Sequence, residues 1–244
     1  MLRSKKHNTQ EEWLKAYEEI KKFANTEEGK IRAEKLIEKA SSRIPKEGKI
    51  IYGWSGGKDS LALEVICDRL GIKDCVLCTT GFRWEYPNFK KYLSENAPKK
   101  LVIVDWNIDV DFLNSHSKYV FPKTSADIYY WYKYNQRGWK KYATEVNADY
   151  ILLGQRNQDG NNTKRKDKRE ICPIYDFTHE DIFLLIIYGN KKLAPFYFEK
   201  DGFNRGTARW IEEHDIKDVY LKDKSVIYDN QIIEKVRKFL EEMK

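Results

Sequence analysis

The sequence predicts an α/β fold with a doubly wound, mostly parallel sheet and helical extensions at both ends. Strand-like apolar runs alternate with helix-like segments between residues 49 and 188, a glycine-rich turn joins the first run to a helix, and amphipathic helical patterns flank this core. Such alternation is typical of parallel sheets covered by helices on both faces. The 244 residues suffice for one domain of this kind with extensions, or for two small domains.

The first 47 residues are predicted to form a helical N-terminal extension. Apolar positions recur with helical spacing from residue 11 to about residue 42, and Asn25-Thr26 interrupts them. Glu28 follows Asn25 by three residues, so we predict a capping box in which Asn25 starts the second helix. The two helices cover the core or offer an interaction surface.

The core is predicted to span residues 48–190, and residues 191–244 to form a helical appendage. Predicted strands cover residues 49–52, 75–80, 101–105 and 150–153, and predicted helices cover residues 61–70, a segment from about residue 87, 110–117 and 125–147. Gly71 suits the end of the first core helix, and Pro87 suits the first position of the next. Thr178 is predicted to cap a further helix that runs to Tyr188.

The turn from the first strand into the first core helix is Ser55-Gly56-Gly57-Lys58-Asp59-Ser60. Backbone N–H groups in a glycine-rich turn form a concavity that holds anions, and a helix N-terminus adds its positive dipole end. Gly56 and Gly57 allow close approach of a ligand and positive φ angles. Lys58 adds a positive charge, and Ser55 and Ser60 add hydroxyl donors. The turn is therefore predicted to bind phosphate.

Asp59 is unusual in a phosphate-binding turn. Its carboxylate repels phosphate unless a divalent cation lies between them, so we predict that Asp59 holds Mg²⁺. A Walker-type loop requires a glycine about five residues before the Gly-Lys pair and a serine or threonine directly after the lysine. Tyr52 and Asp59 occupy these two positions, so this is a different phosphate loop.

Ligands of doubly wound sheets bind outside the carboxyl ends of the strands, where the strand order reverses. The segments Thr79-Thr80-Gly81 and Gly154-Gln155-Arg156, together with Asp105, lie at predicted carboxyl ends, so we expect them to meet the phosphate loop in one crevice. The polar segment 155–169 is predicted to be a mobile loop, in which Lys164 and Arg165 are candidates for a lid. A solvated loop without a ligand explains these two residues equally well.

The six-residue loop resembles the PP-loop of the adenine-nucleotide α-hydrolase superfamily, whose members have a HUP/Rossmann-like fold. Three later segments are similar, in the same order, to the PAPS reductase-like branch, which includes ATP sulfurylase small subunits. These segments are residues 75–86, 152–156 and 172–182. The resemblance covers about residues 49–188.

The resemblance implies an adenine-nucleotide partner, with ATP or a related nucleotide as substrate and Mg²⁺ on Asp59. The residues that it implies for nucleotide and phosphate binding are Ser55, Gly56, Gly57, Lys58, Asp59, Ser60, Thr79, Thr80, Gly81, Gly154 and Arg156. Lys58, Asp59 and Arg156 would be catalytic. Related reductases carry a cysteine nucleophile near the C-terminus, and many relatives hold an iron–sulfur cluster, whereas this sequence has no cysteine after Cys172. We therefore expect no iron–sulfur cluster and no thiol reductase mechanism.

The expected reaction is attack at the α-phosphorus of ATP, with pyrophosphate release and adenylyl transfer to an unknown acceptor. The acceptor is a small anion or a nucleic acid, and Arg156, with Lys164 or Arg165, would stabilise its charge or that of the leaving group. Three alternatives stay open: sulfonucleotide reduction with an essential Cys172 or Cys78, a nucleotide-binding module without turnover, and modification of a nucleic acid. The aromatic and basic run 129–141 can stack bases, although a buried amphipathic helix explains it better.

Two further residue groups have less specific patterns. Cys75 and Cys78 have C-x-x-C spacing but lie in a strand-like run, where residues three apart point to opposite faces, so we predict core positions rather than a metal site. His179 has no partner in the sequence pattern, and we expect it at the surface where a helix starts.

The net charge of +7 suits a polyanionic partner. Most lysines, however, alternate with glutamates on amphipathic helices, as on solvated helix faces. Apolar runs are shorter than the roughly 20 residues of a membrane span, and the first six residues lack the apolar stretch of a signal peptide. We expect a cytoplasmic protein without a membrane partner, while the oligomeric state and a partner subunit stay open.

Overall fold

A computed structural model describes Leu2 and residues 8–79, 87–105, 138–159 and 168–198. Its five parallel strands lie in the order β3-β2-β1-β4-β5. They are β1 (Ile50–Gly53), β2 (Cys75–Thr79), β3 (Leu101–Asp105), β4 (Tyr150–Leu152) and β5 (Glu170–Ile171). The helices are α1 (Gln10–Ala24), α2 (Glu27–Ser41), α3 (Lys58–Arg69), α4 (Pro87–Asn96), α5 (residues 138–145) and α6 (His179–Tyr188), with 3₁₀ turns at Asn157–Asp159 and Pro195–Tyr197. This confirms the predicted Rossmann-like α/β fold.

The strand order places the crevice of the sheet between β1 and β4. After β1, the strands β2 and β3 are added on one side of β1, and β4 and β5 are then added on its other side. Tyr52 pairs with Cys75 of β2 and with Leu152 of β4. Since the order reverses at β1, the carboxyl ends of β1 and β4 border the place where ligands of such sheets bind.

The two N-terminal helices pack against α6. Trp13 of α1 is fully buried, and its ring stacks on that of Phe183 in α6 at a centroid distance of 5.6 Å. The break between α1 and α2 was predicted, but the predicted cap was wrong. Thr26 is the N-cap residue of α2 and accepts from the Gly29 N–H, whereas Asn25 ends α1.

The local sequence signals predicted some boundaries of the core helices and strands correctly and missed others. Thr178 caps α6 in a capping box with Asp181, as predicted for the threonine. Helix α3 begins three residues earlier than predicted, because the phosphate loop continues into it without a side-chain cap. The short strand β5 escaped prediction, since two residues carry too little pattern.

The C-x-x-C pair lies in the core, as predicted. Both Cys75 and Cys78 are buried, and they belong to different apolar clusters on the two faces of the sheet. In α5, Tyr142 is buried and Trp139 packs against the cluster that contains Cys78. Lys141 is exposed, as in an amphipathic core helix. None of the described helices has the length and apolar character to cross a bilayer.

Several predictions lie outside the described residues. They concern Thr80 and Gly81, the helix over 110–117, most of the helix over 125–147, the lid candidates Lys164 and Arg165, and most of the C-terminal appendage. The proposed divisions after residues 47 and 190 stay predictions.

Candidate phosphate-binding site

The phosphate loop leaves the carboxyl end of β1 and enters α3 at Lys58. Gly56 has a φ of +68°, and a Cβ atom there would lie 2.8 Å from Cε2 of Phe89. Both the conformation and the space therefore require glycine. Gly57 is the N-cap residue of α3 and has no side chain to accept from the first N–H groups of the helix. The α3 N-terminus thus presents its backbone donors toward the loop.

Two serine hydroxyls lie inside this turn. The Ser55 N–H donates to Oγ of Ser60 at 3.1 Å, and Oγ of Ser60 donates to the Gly57 carbonyl at 2.9 Å. The Gly57 N–H makes a longer bond, 3.4 Å, to Oγ of Ser55. The structure therefore brings four predicted phosphate-site residues, 55, 56, 57 and 60, into one compact turn.

Lys58 and Asp59 point from the first turn of α3 into a buried ionic network. Nζ of Lys58, a residue only 1% exposed, donates to Oδ2 of Asp59 at 2.7 Å. Nε of Arg156 donates to the other oxygen of the same carboxylate, Oδ1, also at 2.7 Å. Asp59 thus holds two cations, one from its own helix and one from the end of β4. Its assignment as a Mg²⁺ ligand stays a prediction.

Arg156 is fully buried, and each of its five N–H donors has a protein partner. The acceptors are Oδ1 of Asp59 for Nε, Oε1 of Gln158 and the Phe177 carbonyl for Nη1, and Oδ2 of Asp159 and Nδ1 of His179 for Nη2. A buried guanidinium with this many partners fixes the groups around it. Arg156 therefore ties the phosphate loop to the segment after β4 and to α6.

The expected surface position of His179 is wrong. Its side chain is fully buried, and Nδ1 lies 3.0 Å from Nη2 of Arg156. Because arginine can only donate, Nδ1 of His179 accepts this hydrogen bond. Helix α6 is apolar on nearly every side after its first turn and lies between other helices, so its first residue is buried as well. That all-round apolar run from Ile182 was the signal in the sequence.

Gly154 and Thr79 flank the network, while Asp105 lies farther along the sheet. A Cβ atom on Gly154 would lie 3.0 Å from the carbonyl carbon and oxygen of Asp59, so the end of β4 approaches the start of α3 closely. Thr79 is buried at the carboxyl end of β2. Asp105 pairs in register with Thr79 but belongs to β3, two strands away from β1. The expectation that all these residues meet in one crevice holds for Gly154 and Arg156 with the loop.

No protein-family model and no curated protein matches the sequence. A solved structure of the U34-tRNA thiolase NcsA from Methanococcus maripaludis, with its [4Fe-4S] cluster, is 16% identical and matches with a TM-score of 0.50 over 87% of this chain and 80% of that one. This chain therefore has the same α/β fold as that thiolase. A PAPS reductase from Candida auris is 13% identical over 66% of this chain and 81% of that one, with a TM-score of 0.44. An NAD synthetase from Campylobacter jejuni is 14% identical over 88% and 94%, with a TM-score of 0.46.

The cofactor prediction requires a correction. We expected no iron–sulfur cluster, yet the thiolase that shares this fold carries one, so the fold is compatible with a cluster. The expectation was based on the absence of cysteines after Cys172, but ligands are brought together by the fold and not by their order in the sequence. The described residues include all four cysteines and hold no group of three or more potential ligands.

The cysteines also bear on the reductase alternative. Cys78 and Cys172 are both buried. Burial raises the pKa of the Cys78 thiol to about 12. A thiol with such a pKa is almost entirely protonated at neutral pH and is a poor nucleophile.

Proposed function

We propose that this PP-loop protein is an enzyme that binds ATP and transfers its adenylyl group to an acceptor with release of pyrophosphate. The observation that carries the proposal is the phosphate loop itself, which ends at the α3 N-terminus where the strand order reverses. Lys58 and Arg156 bring two buried cations to the same place, an electrostatic setting for a polyphosphate.

In the proposed step, an acceptor oxygen forms a bond to the α-phosphorus. The bond from the α-phosphorus to the bridging oxygen breaks, and pyrophosphate leaves with the electron pair; a hydroxyl acceptor loses its proton to solvent, whereas an oxyanion acceptor has none to lose. The loop N–H groups and Lys58 would hold the β- and γ-phosphates and stabilise the charge that develops on the leaving group. Catalysis then consists of positioning and electrostatic stabilisation.

In this proposal Arg156 does not bind phosphate, although it is positively charged. Since its five donors are engaged with protein groups, it would act by fixing Asp59 rather than by a direct contact with phosphate. Asp59, in turn, orients Lys58 through their 2.7 Å hydrogen bond. Arg156 would therefore be a positioning residue.

The acceptor is a small anion or a nucleic acid. The net charge of +7 is compatible with both. In the described part of the aromatic run, Trp139 is partly buried and packs against an apolar cluster of the core, which disfavours stacking of this ring on a base. Adding sulfate or RNA separately to the assay below distinguishes the two acceptor classes.

The test is to incubate the purified chain with α-labelled ATP in a Mg²⁺ buffer and to measure pyrophosphate and labelled products. We expect pyrophosphate with AMP or an adenylylated acceptor, and a rate about 100-fold lower in Lys58→Ala, as for loss of one electrostatic contact to a transition state. Lys100→Ala is the matched control, since Lys100 pairs with Asp74 just before the amino ends of β3 and β2, whereas the loop lies at the carboxyl end of β1. Cleavage between the β- and γ-phosphates, or full activity in folded Lys58→Ala, would contradict the proposal.

A further inference from the structure

The segment after α6 runs back to the phosphate loop and is held along α3 and α4. We call residues 191–197 the strap. Nζ of Lys191 donates to Oε1 of Glu64 at 2.6 Å and to Oδ2 of Asp68 at 2.7 Å, both on α3. The hydroxyl of Tyr92 on α4 donates to the Lys192 carbonyl at 2.7 Å. These anchors fix the first half of the strap.

One of these anchors also connects the strap to the residue just before the phosphate loop. The Glu64 carboxylate is buried and accepts both from Lys191 and, at 2.7 Å, from Nε1 of Trp54, the residue just before the loop. Burial raises the pKa of Glu64, while Lys191 opposes that shift. The start of the strap and the start of the loop therefore share one carboxylate.

The strap ends on the loop. Its last residue, Tyr197, is buried, and the tyrosine hydroxyl accepts the Lys58 backbone N–H at 2.9 Å. Lys58 is the first residue of α3, so this N–H is one of the donors that a helix N-terminus offers to anions. Burial, followed by the charge of Asp59, raises the pKa of Tyr197, so the hydroxyl stays neutral at physiological pH.

We propose that Tyr197 is an internal competitor for the phosphate site: its hydroxyl occupies the Lys58 N–H in the nucleotide-free protein and is displaced when phosphate binds. The inference rests on the proposed function in that the loop must bind phosphate. It adds that the turn Pro195–Tyr197 moves away on binding, while the anchors at Lys191 and Lys192 remain.

Two opposing energy terms decide this exchange. A hydrogen bond to a charged phosphate oxygen is about twice as strong as one to a neutral hydroxyl. Against this gain stands the exposure of the buried Tyr197 ring to water. Since the two terms oppose each other, ligand affinity depends on how firmly Tyr197 is held.

The test is the equilibrium affinity of the full chain for pyrophosphate and for ATP, measured by calorimetry. Tyr197→Phe removes the hydroxyl and keeps the ring, so we expect it to bind both ligands about 2- to 10-fold more tightly, as for loss of one neutral hydrogen bond in the free state. Tyr92→Phe removes an anchor that is present in both states, so its affinity for both ligands should stay close to that of wild type. Tyr188→Phe is the control, because its hydroxyl contacts Glu34 far from the loop.

A second measurement reports the movement itself. Hydrogen exchange in the turn Pro195–Tyr197 should increase when pyrophosphate is added, although ligands usually lower exchange. Equal or weaker binding in Tyr197→Phe would overturn the inference, as would pyrophosphate binding without this increase in exchange. Absence of binding in all variants would overturn it as well. Tighter binding without pyrophosphate release from ATP would instead retain the inference and reject the proposed reaction.

Discussion

Two arginine–aspartate pairs in this protein use the same chemistry in opposite surroundings. Arg156 and Asp59 join the end of β4 to the phosphate loop, and the arginine is fully buried. Arg43 and Asp176 join the end of α2 to the turn before α6, with two parallel bonds of 2.8 and 2.9 Å, and their side chains are 22% and 31% exposed. Arg43 also lies over the Tyr175 ring.

The two pairs should differ in how much they contribute to stability, because one arginine is buried and the other is partly exposed to solvent. Water and salt screen the Arg43–Asp176 pair, so its net contribution is small. Arg156, in contrast, is fully buried and has lost its hydration, although the Asp59 side chain is 26% exposed, so the charge of Arg156 depends on its protein partners. The surface pair has the more regular, two-bond geometry, but breaking the pair of Arg156 should cost more.

The largest effect should follow from Arg156→Ala. The variant removes one of the two cations that Asp59 and Asp159 share, leaving Lys58, and we expect the free energy of unfolding to fall by about 3–5 kcal/mol, as for a broken buried ion pair. Urea denaturation measures this. Arg156→Lys keeps the charge but not the five-donor geometry and should lie between the alanine variant and wild type. Wild-type stability in Arg156→Ala would show that the network holds nothing in place.

A smaller effect is expected at His179. His179→Phe keeps a ring in the buried position but removes the acceptor for Nη2 of Arg156. A buried donor without a partner should lower the free energy of unfolding by about 2–3 kcal/mol, because the donor is charged. His179→Asn, whose amide oxygen can accept in place of Nδ1, should recover part of the loss. Equal stability of the two variants would contradict the role of the hydrogen bond.

The smallest effect is expected at the surface pair. The hydrogen bonds from Arg43 hold the pKa of Asp176 well below its usual range, with Lys39 contributing as well. Because the folded pKa is lowered, the pair stabilises the protein above the unfolded pKa of about 4 and loses this contribution as the pH falls further. Arg43→Ala should cost less than about 1 kcal/mol at pH 7.

The pH profile sharpens this last expectation. The stability difference between wild type and Arg43→Ala, from denaturation at several pH values, should stay constant from pH 7 to about pH 5 and shrink below about pH 4. Lys39→Ala removes the weaker partner of Asp176 and should show the same trend with a smaller amplitude. A difference that grows at acid pH would have the wrong sign.

The sequence alone determined the features that depend on neighbouring residues. Alternating strand and helix patterns predicted the parallel sheet, and the run from Ser55 to Ser60 predicted the phosphate loop at a strand-to-helix turn. Thr178 predicted the start of α6. These signals are local, because turn conformation, capping and periodicity are set within a few residues.

Only the tertiary structure decided which distant residues meet. The burial of His179, three of the five contacts of Arg156 and the contact of Tyr197 with Lys58 join segments from 21 to 139 residues apart. Their partners are chosen by the packing of α6 and the strap against α3, which leaves no periodic trace in the sequence. The same reason explains the wrong cofactor expectation, since ligand sets also form across the fold rather than along the chain.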